Sequence, residues 1–144
     1  MQVGGVDEVG PAVESEQPVV LVAEDEVLVR FAIADCLRSA GFVVLEAASG
    51  EEAQIALQAI PGIDVVFSDI NMPNSEDGIE LVLWMATHLP DVPVILTSGR
   101  SSPAQAMTVS SCPNVTDFLP KPYECAEVER LLRKRIAGRK RSPT

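Results

Sequence analysis

The stretch Val65-Val66-Phe67-Ser68-Asp69-Ile70-Asn71-Met72-Pro73 decides how the chain folds. Val65 to Phe67 are apolar without alternation, the pattern of a strand covered on both faces in a parallel sheet. The run stops at a carboxylate, and Asn-Met-Pro follows, where proline's missing amide cannot continue a central strand. Asp69 is therefore expected at the carboxyl end of a buried strand, the edge where open α/β sheets bind ligands. An aspartate in that place can also do no more than form a turn. The other strand ends decide between the two.

Upstream, Pro18 to Ala23 reads as a first strand ending at Glu24-Asp25-Glu26. Val27, Leu28, Phe31, Ala32 and Leu37 then recur at helical spacing up to about Ala40, with Gly41 as the stop. Phe42 to Ala47 reads as a second strand. Ser49-Gly50-Glu51-Glu52 is a capping box opening a helix with Ala53, Ala56, Leu57 and Ile60 in line. The strand over Ile63 to Ser68 completes the approach to Asp69.

Downstream, Gly78 leads into a helix over Ile79 to His88 with Leu81, Val82 and Met85 inward. Val94 to Thr97 is a fourth strand running into Ser98-Gly99, and residues 100 to 114 support only a short helix near Pro103 to Val109. Val115 to Leu119 is a fifth strand, followed by Pro120-Lys121-Pro122. The last helix spans about Glu124 to Ala137, marked by Val128, Leu131, Leu132 and Ile136. Five βα units with short connections predict a flavodoxin-like, doubly wound, five-stranded parallel sheet, (βα)5.

The 144 residues fit one domain, with residues 1–17 a disordered lead-in, 18–137 the domain and 138–144 a basic tail. No apolar run is long enough to span a bilayer and the acidic N-terminus does not resemble a signal peptide, so a cytoplasmic protein is expected. Cys36, Cys112 and Cys125 are odd in number and widely spaced, which indicates neither a disulfide framework nor a zinc site. The net charge of −10 divides unevenly: seven of the eleven basic residues lie from Arg130 onward, without an acid among them. The acidic remainder repels nucleic acid, and the basic end reads as a solvated helix face.

In a parallel sheet the strand ends share one rim, so Glu24, Asp25, Asp69, Ser98 and Lys121 can converge although they are nearly 100 residues apart. Carboxylates without imidazole or thiolate suit Mg²⁺, and would repel one another without a cation. Lys121 is a point charge suited to phosphate oxygens, and Ser98 offers a hydroxyl. The set suits phosphoryl transfer, with Asp69 as nucleophile forming an acyl phosphate.

At these positions the chain resembles the response-regulator receiver domain of two-component signalling. The resemblance rests on ED at 24–25, FSDINMP at 67–73, TSG at 97–99 and FLPKPY at 118–123, and covers Pro18 to about Ala137. It implies that Asp69 accepts a phosphoryl group from a histidine kinase or histidine phosphotransfer protein. It also implies that Asp25, Asp69 and the main-chain carbonyl of Asn71 ligate Mg²⁺, with Glu24 acting through water. Ser98 would be the switch hydroxyl, in preference to Thr97, Phe118 the switch aromatic and Lys121 the phosphate contact. One departure is the segment NSEDG after Met72-Pro73, a residue longer than the family spacing.

The chain ends about twenty residues after Lys121, which reads as a stand-alone receiver whose output is contact with a downstream protein target, without a membrane or nucleic acid. A receiver fragment of a hybrid histidine kinase or longer regulator is the alternative. A Mg²⁺-dependent aspartyl-phosphate phosphatase of the haloacid-dehalogenase type would need a second Asp where Asn71 stands. A pseudo-receiver binding module would lack one of the acid pair, the acceptor or the lysine. His88, the single histidine, is expected on a solvent-facing helix end.

Overall fold

The structure, a computed structural model, describes residues 17–72, 77–99, 108–109 and 111–138. The strands are β1 (Val19–Ala23), β2 (Val43–Ala47), β3 (Val65–Asp69), β4 (Val94–Ser98) and β5 (Val115–Pro120). The helices are α1 (Val27–Ser39), α2 (Gly50–Ala59), α3 (Asp77–His88) and α4 (Cys125–Gly138). All five strands are parallel, in the order β2-β1-β3-β4-β5. This is the predicted doubly wound sheet. The topological switch lies between β1 and β3, and there the ends of both strands are acidic.

Buried residues form two clusters, one on each face of the sheet. Leu21, Val66, Leu96, Ala53, Leu57, Leu81, Val82 and Met85 fill the side under α2 and α3. Val20, Val22, Phe67, Ile33, Leu37, Val128 and Leu132 fill the side under α1 and α4. Alternate residues of β1 serve opposite clusters, as the two-residue period of a strand requires. All residues of β3 and β4 are buried, matching the unalternating apolar runs.

The capping box closes as predicted in its first half: the Glu52 amide donates to Ser49 Oγ at 3.1 Å. Glu52 Oε1 reaches back to the amide of Ala48 rather than of Ser49. The inward line of α3 is as expected, whereas of the apolar line read along α1 only Leu37 is buried. Val27, Leu28 and Phe31 are 63%, 81% and 62% exposed, and Ile33, Ala34 and Leu37 make the buried face. Helical spacing located α1, but an apolar residue on the wrong side of a helix repeats with the same period. Gly41 stops α1 with φ +103, as its place after the helix suggested.

The expected cysteine pattern is also corrected. Cys36 of α1 and Cys125 of α4 are joined as a disulfide, with Cα atoms 6.5 Å apart across 89 residues of sequence, and Cys112 is a buried free thiol. Only the packing of both helices on one sheet face creates the pair, so spacing along the chain carried no sign of it. His88 is exposed at the end of α3, its ring stacked on Trp84. The acidic lead-in, the NSE segment and the basic tail beyond Gly138 lie outside the described residues. So does the weak helix, apart from Thr108 and Val109, which are helical. No helix among the described residues is long and apolar enough to cross a membrane.

Candidate functional site

Four strand ends and the turn after β3 build the site. β1 delivers Glu24 and Asp25 directly beyond its last residue, β3 ends at Asp69, β4 at Ser98, and Lys121 follows β5. Carboxylate oxygens of Glu24, Asp25 and Asp69 all lie within 4.8 Å of one another. Lys121 Nζ donates to Glu24 Oε1 at 3.0 Å and to Asp69 Oδ2 at 3.1 Å. An ammonium group therefore already offsets part of the repulsion among these acids. Asp25, Asp69, Asn71, Gly99 and Lys121 line an open cavity of about 370 Å³ at this rim.

Burial sets the electrostatics. Glu24 is 2% exposed, and loss of solvent raises its carboxyl above the ordinary range. The Glu26 amide and Lys121 stabilise the charged form without cancelling that effect, and Asp69 adds to the rise. For Lys121, burial alone would lower the ammonium pKa. Glu24 and Asp69 more than reverse this, and the group is firmly cationic. Tyr123 is pushed up to about 12 by burial and then by Glu24, so its hydroxyl stays neutral.

The Asn71 side chain was not anticipated in its observed role. Its Nδ2 donates to Ser98 Oγ at 2.8 Å, and its main-chain amide donates to Asp69 Oδ1 at 3.1 Å. Asn71 thus ties the end of β4 to the end of β3. Thr97, next to Ser98, pairs with Asp69 in the sheet register, but its Oγ1 is buried without a hydrogen-bond partner among the described residues. Of the two hydroxyls it is Ser98, at the end of the strand, that is bonded to Asn71 at this rim. Phe118 lies on β5 opposite Leu96 and is 42% exposed.

A second feature, also without local sequence signal, brings the start of α3 against the end of β3. A Cβ added at Gly78 would stand 2.5 Å from Ile70 Cα and 2.7 Å from the Asp69 carbonyl oxygen. The start of α3 rests on the backbone of the site itself, and only glycine permits that approach. The Lys121–Pro122 bond, next to the lysine, is cis.

The response regulator receiver domain model matches residues 20–133. The chain belongs to this receiver family. The receiver is 36% identical over 110 residues to the sensor kinase CckA of Brucella abortus, a match covering 76% of this chain and 11% of that protein. It is 34% identical over 122 residues to the regulatory protein VirG of Rhizobium rhizogenes, covering 85% of this chain and 48% of that one. The receiver thus spans about half or less of these relatives. A CheY-like receiver from Methanospirillum hungatei superposes with a TM-score of 0.80 at 16% identity, covering 86% and 97% of the two chains, a likeness of fold. A Pseudomonas putida response regulator receiver gives 0.76 at 28% identity, covering 82% and 97%.

The donor set fits a hard divalent cation: among the described residues the cluster is Glu24, Asp25 and Asp69, without imidazole or thiolate, and Asp25 and Asp69 line the open cavity. Receiver domains generally bind Mg²⁺ through such acids.

Proposed function

We propose that this receiver, taken as residues 18–137, accepts a phosphoryl group on Asp69 from a histidine kinase or histidine phosphotransfer protein, and passes the signal to a downstream protein. One observation carries the reading: Lys121 bridges Glu24 and Asp69 beside Asp25, on the rim where four strand ends meet. A carboxylate oxygen of Asp69 attacks the phosphorus of a phosphohistidine. The new P–O bond forms as the P–N bond breaks, and the electron pair leaves with the imidazole, which takes up a proton. Lys121 contacts the phosphoryl oxygens, and Asp25, Asp69 and the Asn71 carbonyl would hold Mg²⁺, with Glu24 contributing through water. The bound cation would neutralise charge developing on the transferred group.

Ser98 is the switch hydroxyl in this reading. Its Oγ accepts from Asn71 Nδ2, its hydroxyl proton is donated to the acyl phosphate once that forms, and Phe118 on the edge strand follows. The donor meets an apolar surface beside the site, a groove of about 640 Å³ whose lining includes Leu28, Ala32, Ile33, Pro122 and Tyr123 and shares Lys121 with the acidic cavity. The basic residues of α4 are partly engaged within the fold. Arg133 bonds Glu129 and the Ala40 carbonyl and lies over the Phe42 ring, and Arg135 bonds Asp117. This supports a protein partner over nucleic acid.

The test is phosphorylation with acetyl phosphate and Mg²⁺, followed by ³²P transfer from a panel of phosphorylated kinases and phosphotransfer proteins. Wild type should gain a single base-labile phosphoryl group and Asp69→Asn none. Labelling that survives Asp69→Asn removes Asp69 from the role.

A further inference from the structure

Cys36 and Cys125 meet where two parts of the site's support converge. Cys36 lies on α1, and Cys125 opens α4 at the far end of the segment Lys121-Pro122-Tyr123-Glu124. That segment is held at its start by Lys121 on Glu24 and Asp69. In its middle the Tyr123 ring packs edge-on against Phe67 of β3, with centroids 5.4 Å apart. At its end it is held by Cys125 bonded to Cys36, with Cα atoms 6.5 Å apart, a separation that suits a disulfide. Neither cysteine is fully buried, and Cys125 lines the open groove beside Pro122 and Tyr123. Small oxidants and reductants can therefore reach the pair. Cys112, buried and free, stands apart as an internal control.

We propose that Cys36 and Cys125 are a reversible redox modification site, closed by a peroxide or a low-molecular-weight disulfide, whose closed state fixes Lys121 for phosphorylation of Asp69. The regulatory half rests on the reading of Asp69 as acceptor. With a peroxide, one thiolate sulfur attacks the O–O bond and becomes a sulfenic acid, while the departing oxygen leaves as water after taking a proton. The second thiol attacks that sulfur. The S–S bond forms, the S–O bond breaks, and a second water is released. The two thiols lose two electrons and two protons, and the peroxide is reduced to two waters. A thiol reductant reopens the bond through a mixed disulfide. In the open state the segment loses its tether to α1 and is held by its Lys121 and Tyr123 contacts alone, so those contacts break more often and Lys121 samples a wider range of positions.

The experiment uses the full chain equilibrated in reduced and oxidised glutathione, with free thiols trapped by N-ethylmaleimide and mapped by mass spectrometry. Cys36 and Cys125 should close together and reopen with dithiothreitol, while Cys112 stays a thiol throughout. Reduction should lower the melting temperature by on the order of 10 °C. With acetyl phosphate and Mg²⁺, the reduced protein should label more slowly, on the order of tenfold, because small misplacements of a positioning group are costly. Cys36→Ser should label at the reduced rate whatever the glutathione ratio, and Cys112→Ser should respond as wild type does. Failure of Cys36 and Cys125 to pair overturns the proposal. So does equal labelling of the closed and open forms, which makes the bond a staple without a switch. If neither form labels, the acceptor reading fails and the regulatory half falls with it, while thiol trapping decides the modification site by itself.

Discussion

At Lys121 the ammonium group bonds two of the three carboxylates that would hold a cation. Mg²⁺ must therefore bind against a positive charge already in place. Lys121→Ala should tighten Mg²⁺ binding, read as a larger rise in melting temperature per increment of Mg²⁺. It should also slow phosphorylation by roughly 10- to 150-fold, the equivalent of one charge-assisted bond of about 1.5–3 kcal/mol. Unchanged labelling by acetyl phosphate would remove Lys121 from the phosphate. Asp69, Glu24, Asp25, Ser98 and Lys121 were all legible as strand-end residues, because an apolar run that halts at a polar side chain is a local signal. The Asn71–Ser98 bond was not. Its partners are 27 residues apart, and an Asn after a strand reads equally well as a turn former.

At the scale of elements, α3 packs against the site backbone at Gly78. Gly78→Ala should force the start of α3 away from Ile70 and Asp69, costing about 1–3 kcal/mol as overpacking against backbone does. Chemical denaturation measures the cost, and a variant as stable as wild type would mean that the helix start shifts freely. The element pattern itself was readable from periodicity. Strands differ from prediction by a residue or two, and β3 runs Val65–Asp69 rather than from Ile63. The facing of α1 was not readable, since Val27, Leu28 and Phe31 look like core until the sheet shows which side it covers. Pairing of Cys36 with Cys125 is of the same kind: the contact belongs to α1 and α4 together and to neither sequence alone.

Across the whole molecule, the ion pair of Arg135 with Asp117 ties α4 to the edge strand β5, with contacts of 2.6 and 3.0 Å. Burial would raise the Asp117 carboxyl, but Arg135 and Thr116 outweigh it and hold the group below its usual value of 3.8. A depressed carboxyl contributes stability that is complete above its unfolded pKa and is lost as pH falls through the folded one. Arg135→Ala should therefore cost ~0.5–1 kcal/mol at neutral pH for this partly exposed pair. The deficit should hold down to the usual carboxylate range and shrink below it, as followed by urea melts across pH. A deficit that is flat to strong acid would assign the loss to packing. The two apolar clusters carry a different consequence. Because the sheet separates them, damage on one side should go unnoticed on the other. Ile33→Val and Ile70→Val should each cost ~0.5–1.5 kcal/mol, and the double variant should equal their sum within about 0.5 kcal/mol. Five strands then work as a bulkhead, and the two flooded compartments fail one at a time.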